Sequence, residues 1–358
     1  MRILLLAMAA SALLGGLDRM LGNRFGLGEA FEEAFRMLGP LGLSMAGILC
    51  LSPLLAGAAS SLAPLCRALG ADPGVLSCIL AIDMGGWQMA ERLSDSPEAA
   101  RFFGILVTAT MGCTLSFTIP AGMGMMTEEG RKAFSRGILC GLAALPVGLI
   151  AGGLVMGLGA VRTVRLSLPL LLPALLLALA LRFAPGATVR VFGAFAALLR
   201  LLATAGLALG AFRFISGIGL LPGLMPVEES MQVVCAIGVT LLGSLPAARL
   251  LLRLLRRPLA LAGERLGIGA DGVTGLLLLT INVTPGLAAL GSMKPRAQIV
   301  NAAFSVSAAS ALTAHLAFTV ACSPETAGAL LAGKLAGAAA AGALALLMTR
   351  TMKDEAAL

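Results

Sequence analysis

The chain has 358 residues, of which 58% are hydrophobic and 12% charged, with a mean hydropathy of +0.97 and a formal net charge of +8. These proportions exclude a soluble globular domain, and the recurring apolar runs of about 20 residues, each able to span a roughly 30 Å hydrocarbon layer, identify an all-α, polytopic integral membrane protein. The 26 Lys and Arg residues stand singly or in small groups between those runs, which is a topogenic pattern and not a nucleic-acid-binding stripe.

Residues 3–17 predict a first span. Arg2 before an apolar run has the outline of a signal peptide, but Asp18 and Arg19 follow without a cleavage pattern, so the segment is kept as a span. Over residues 25–38, Glu29, Glu32, Glu33 and Arg36 recur at helical spacing among Phe31 and Phe35. That pattern fits a short amphipathic helix at the membrane interface, or a plain connecting helix. Residues 38–58 predict the second span. Pro64 and the turn Gly70-Ala71-Asp72-Pro73 then break the pattern ahead of the apolar segment 74–90.

Further spans are expected at 102–126, 134–158, 166–183, 191–216 and 231–252. A second interrupted stretch over 258–293 precedes spans at 297–321 and 326–349. The total is about 9–11 transmembrane helices with two interrupted or re-entrant segments in a single transporter-like domain, 1–358. Sliding the chain by 197 residues lays Leu69-Gly70 on Leu266-Gly267, and Thr108, Thr110, Cys113 and Ser116 on Ser305, Ser307, Ser310 and Thr313. The halves are then about 38–158 and 231–349, joined by helices in 160–230. Five spans separate the repeat starts if both interrupted stretches are re-entrant, and an odd number makes the repeat inverted. The same choice gathers Lys294, Arg296, Arg350 and Lys353 with Arg249, Arg253, Arg256 and Arg257 on the cytoplasmic side. The seven cysteines show no C-x-x-C spacing and read as small packing residues.

Asp83 is the foremost candidate for chemistry, because an acid inside an apolar segment costs about 2.5–3.5 kcal/mol on insertion scales and by default faces a cavity. Gly85 and Gly86 follow it and permit close backbone approach, and Trp87 lies one helical turn beyond. A carboxylate with an aromatic face suits an ammonium group through charge pairing and a cation–π contact. The structural readings are an Asp held as glue against an Arg or helix N-termini, and Trp87 as an interfacial anchor. In the second half, Asn282 sits in Thr280-Ile281-Asn282-Val283-Thr284-Pro285-Gly286, where proline and glycine free backbone carbonyls that need partners at membrane depth. Asn301, Ser305 and His315 follow on one span, with Asn301 and His315 four turns apart on nearly the same face. These side chains can bind substrate or relay a proton, or act as hydrogen-bonding glue between helices. Arg200, alone in an apolar run, either snorkels or pairs with Asp83. No Walker loop, H-E-x-x-H, G-x-S-x-G or metal-ligand cluster is present, so the reading includes no enzyme, no catalytic residue, no metal and no cofactor.

Several of these segments are similar to one known family. Phe31-Glu32-Glu33-Ala34-Phe35, Leu69-Gly70-Ala71-Asp72-Pro73, Asp83-Met84-Gly85-Gly86, Ile150-Ala151-Gly152-Gly153-Leu154 and Asn301-Ala302-Ala303-Phe304-Ser305-Val306-Ser307-Ala308-Ala309 resemble the ethanolamine permease family of bacterial ethanolamine-utilisation operons. The resemblance runs from about residue 17 to 349. It implies an inner-membrane carrier that takes up ethanolamine for catabolism by an ammonia-lyase pathway, with membrane lipid around it and no nucleic-acid partner. From the residue chemistry, and not from the resemblance, Asp83 would meet the ammonium, and Asn282, Asn301 or the serines the hydroxyl. The chain departs from the family pattern at Ile281-Asn282, where the family has two adjacent asparagines, and at Ala314, where it has an acid before the histidine. Two alternatives stay open, a related helical-hairpin carrier for another small amine or a nucleoside-like metabolite, and a non-transporting membrane scaffold. Energy coupling and oligomeric state, a homo-oligomer included, also stay open.

Overall fold

The structure is a computed structural model that describes residues 2–80 and 86–350; Asp83 and Gly85 lie outside the described residues. Helix α1 (Arg2–Met20) ends in a turn that Asp18 organises. Its buried carboxylate accepts from the backbone N–H groups of Phe25 at 2.9 Å, Leu27 at 2.7 Å and Gly28 at 2.9 Å. Those are donors that a helix start otherwise leaves without partners, and Gly26, at φ +68°, makes the left-handed entry.

Helix α2 (Leu27–Ser60) then runs on through Met37 without a break. Its first three turns pack onto the bundle through one face. Ala30 and Ala34 form a small buried face in one cluster with Val234, Ile237, Leu241 and Leu245, and Arg249 reaches Glu29 at 2.8 Å and the Gly26 carbonyl from across the fold. The alanines permit close helix packing while Phe35 stays 66% exposed, so the connecting-helix reading describes this segment.

A short helix α3 (Ala63–Ala68), a turn at Pro73–Leu76 and the helical residues Ser77–Leu80 lead to α4 (Gly86–Leu93). Both ends of this stretch are pinned together. Arg67 pairs with Asp95 at 2.7 Å, and Asp72 accepts from Gly74 N at 2.8 Å and from Asp95 N at 3.2 Å. Burial pushes the Asp72 carboxyl above its ordinary pKa, against the opposing effect of those two backbone donors.

The long helices follow: α5 (Pro97–Met125), α6 (Glu128–Val155), α7 (Ala160–Phe183), α8 (Pro185–Ser216) and α9 (Val227–Leu266). Helix α9 continues through Pro258, so the second interruption begins at Gly267 and not at the proline. After it come α10 (Gly269–Ile281), α11 (Val283–Leu290), α12 (Pro295–Ala308), α13 (Ala314–Cys322) and α14 (Ala327–Met348). Among the described residues, eight helices are long and apolar enough to cross a membrane, fewer than the nine to eleven expected, because the run 297–321 is split between α12 and α13. The molecule is a multi-pass helical membrane protein.

The centre is α5, with 94% of its most apolar window buried, whereas the corresponding window of α8 is 17% buried. Residues Phe102–Gly112 and Thr114–Thr118 of α5 are wound as wide π-helical turns, a rare geometry that recurs at functional sites. Helix α6 is the other organiser. A methyl placed on Gly137 would strike the Ile299 carbonyl and Ala302 of α12, and one on Gly141 would strike Val306. Further along, a methyl on Gly148 would lie 2.6 Å from the Gly333 carbonyl oxygen of α14, and one on Gly152 3.1 Å from that of Ala329. This stripe of small residues brings three helix backbones into contact, the packing that membrane helices use in place of a hydrophobic driving force.

Candidate functional site

The second interruption is a crossing of two broken helices. Helix α10 ends at Ile281, Asn282 is extended, and its side chain accepts from Thr284 N at 3.1 Å to start α11. The chain turns sharply enough that Gly286 packs against the backbone of Leu279. Helix α12 stops at Ala308 and α13 begins at Ala314, with Ser310 between them at φ +48°. Asn301 and His315 are therefore on two separate helices, and the four-turn alignment expected for one continuous span does not hold.

Each break supplies the other's missing hydrogen bonds. Ser310 N donates to Leu279 O at 2.8 Å, Leu312 N donates to Thr280 O at 2.9 Å, and the Thr313 hydroxyl donates to Ile281 O. In return Val283 N donates to Ser310 Oγ at 3.2 Å. An unpaired backbone group at bilayer depth costs several kcal/mol, and this reciprocal stitching is how two helix ends are accommodated there. It also gathers the partial charges of four helix termini at one place.

His315 belongs to this crossing. Its ring is 1% exposed, and Nδ1 lies 2.7 Å from Ala309 O, so that nitrogen carries the proton and caps the freed end of α12. Its own carbonyl accepts from Thr319 Oγ1 at 2.8 Å.

From the first half, Trp87 packs across α5 against Gly104 and joins the apolar cluster that holds Ile105, Ala109, Ile281, Ala314 and Leu330. Gly86 lies against the side chain of Thr108, where a Cβ would collide. Gly86 and Trp87 thus lie against α5, and Trp87 shares one apolar cluster with Ile281 and Ala314 from the two breaks. Asp83 precedes Gly86 by three residues in sequence and lies outside the described residues.

Asn301 and Ser305 are placed elsewhere. The Asn301 amide donates to Gly272 O and to Ala297 O, each at 2.9 Å, tying α12 to α10, and its Oδ1 is buried without a partner. Ser305 bonds its own helix at Ala302 O, 2.7 Å away. Arg200 is exposed on α8, beside Pro40, Ser44 and Phe117.

Sequence reasoning missed Lys334. It is the single charged residue of α14, it is 0% exposed, and its ammonium donates to the Ala109 carbonyl on the π-wound part of α5. A lone lysine in the apolar run 327–348 carries the same intramembrane charge signal that marked Asp83. One turn further on, Gly337 packs against Ser307, whose buried hydroxyl has no partner.

Comparison with known proteins adds an independent line. A family model described as "Ethanolamine utilisation protein, EutH" matches residues 1–348. The chain is 34% identical over 355 residues to the Listeria monocytogenes protein named "Probable ethanolamine permease EutH", covering 99% of this chain and 95% of that one. It is 37% identical over 346 residues to "Uncharacterized protein YxeR" of Bacillus subtilis, covering 96% and 93%. A Salmonella typhimurium protein, also named "Probable ethanolamine permease EutH", is 34% identical over 373 residues, covering 96% of this chain and 91% of its own length. No solved structure matches.

Proposed function

Because the chain belongs to the EutH family of ethanolamine utilisation proteins, a family of membrane permeases and not enzymes, we propose that it carries ethanolamine across the bacterial inner membrane. The observation that carries the reading to a location is the crossing of broken helices at Asn282 and Ala309–Thr313, whose Ile281 and Ala314 share an apolar cluster with Trp87 and with Ala109, the residue that accepts from the Lys334 ammonium.

Ethanolamine is small, cationic near neutral pH and carries one hydroxyl. Asp83 supplies the counter-charge and Trp87 a cation–π face worth about 0.5–2 kcal/mol. Asn282, half-buried with only its Oδ1 engaged by the backbone, offers its amide N–H to the hydroxyl. His315 holds the turn in shape. The Lys334 ammonium is a resident cation close to the path of a cationic substrate, and its repulsion favours release once the site opens.

Access alternates through an inverted repeat of the halves 38–158 and 231–349. Two observations support that reading. The ends of the 70–95 stretch are tied together by Asp72, Arg67 and Asp95, and the 267–295 stretch starts beside Arg296 and ends with Gly291 near the Met125 carbonyl. In this reading each interrupted stretch returns to the face it entered from. The faces are opposite ones, since the single long helix α5 separates Asp95 from Met125. The face with Arg131, Arg249 and Arg296 is the cytoplasmic one by the positive-inside rule.

The test is uptake of labelled ethanolamine into vesicles containing the purified protein, wild type against Asp83→Asn. Saturable uptake that the substitution abolishes supports both substrate and site. No uptake by folded wild-type protein, with or without imposed gradients, refutes the substrate, and an Asp83→Asn protein that transports normally refutes the site.

A further inference from the structure

Away from the crossing, five cationic side chains converge at the cytoplasmic end of the bundle. Arg131, Lys132 and Arg136 come from the first turns of α6, Arg182 from the last turn of α7 and Arg190 from the beginning of α8. They line a cavity of about 490 Å³ in which Glu128 is the single acidic side chain. All five are exposed, and among the described residues none is in an ion pair. Arg131 donates to the Met123 carbonyl at 3.0 Å, and the Ser135 hydroxyl in the same wall is buried without a partner. Five cations against one carboxylate repel one another unless an anion sits among them.

The surroundings of the cavity say which anion. Its inner wall is Leu139 and Leu181. On one side an apolar groove of about 420 Å³ runs between α7 and α8, past Leu176, Leu177 and Phe192. On the other, a groove of about 480 Å³ shares Arg136, Leu139 and Arg182 and continues along Ala143 and Leu344. A cationic head pocket flanked by two apolar channels fits an amphiphile with two chains, and a free phosphate would leave both channels uncovered. The position at one end of the helices is the depth at which lipid phosphates lie.

We propose that this cavity is a binding site for an anionic phospholipid, its phosphate held by Arg136, Arg182 and Arg190 and its acyl chains lying in the two grooves. The lipid bridges α6, α7 and α8, and so steadies the outer pair α7 and α8, whose most apolar windows are 28% and 17% buried. The site is separate from the proposed transport path.

The experiment uses the full-length purified protein in detergent, with phosphatidylglycerol, phosphatidylcholine or inorganic phosphate added, read by thermal unfolding and native mass spectrometry. Phosphatidylglycerol is expected to raise the unfolding temperature more than phosphatidylcholine and to remain bound in the gas phase, with inorganic phosphate without effect. In R136Q/R182Q/R190Q the preference is expected to vanish, an affinity loss on the order of 100-fold. The single variant Arg190→Gln and a salt titration of the wild type, which weakens an electrostatic site, read the same property if the triple variant does not fold. Equal stabilisation by phosphatidylcholine, a preference that survives the substitutions and salt, or an equal shift from inorganic phosphate would each overturn the proposal.

Discussion

The contact between α6 and α14 offers a sharp test of how the core is held, because it has almost no slack. A methyl group added at Gly148 would lie 2.6 Å from the Gly333 carbonyl oxygen and 3.0 Å from the Gly337 Cα, where ordinary contact begins at 3.4 Å. The helices must separate by the difference, 3.4 minus 2.6, about 0.8 Å. Overpacking of that kind costs about 1–3 kcal/mol. The displacement also exceeds the roughly 0.5 Å within which binding groups must be held. Lys334 follows Gly333 directly, so the shift falls on the ammonium that donates to Ala109 O. Gly148→Ala is expected to lower the unfolding temperature in detergent and to reduce vesicle uptake of ethanolamine. The control is Gly193→Ala, where an added methyl meets nothing within 4 Å. Identical stability and uptake in the two variants would refute this account of the packing.

Two further substitutions separate the parts of the crossing. Ser310→Ala removes the acceptor of Val283 N and leaves a buried N–H unpaired, at a cost of about 1–3 kcal/mol, whereas Ser310→Gly loses the same bond but relieves the positive φ. The unfolding temperature should fall in the order wild type, Gly, Ala, and an Ala variant as stable as wild type would show that the bond contributes nothing. Lys334→Met keeps the buried stem and removes the charge. The lost bond to Ala109 O is offset by removing the desolvation cost of a buried ammonium, so the variant should fold while uptake drops by at least about tenfold. Normal uptake would take Lys334 out of the transport site.

Fold class and the irregularity at Asn282 were legible in the sequence because hydrophobic run length and the Pro, Gly and Asn signals are local properties. Local pattern also marked Asn282 and the single histidine as unusual at membrane depth. It misled at Pro258, because a proline's missing donor is tolerated inside α9. The break at Ala309–Thr313 has no proline or glycine, so nothing local separates it from continuous helix.

By itself, the sequence determined that the chain crosses a membrane repeatedly, because burial of apolar runs in lipid needs no partner contact. It also determined the family, because a likeness spread over the whole length is a property of residue order. Tertiary structure decided which polar groups meet. The bonds from Ser310, Leu312 and Thr313 to Leu279, Thr280 and Ile281, and from Lys334 to Ala109, join residues far apart in the chain. Their pairing depends on α6 holding α12 and α14 at backbone contact, a distance that glycine makes available but that only the packed helices set.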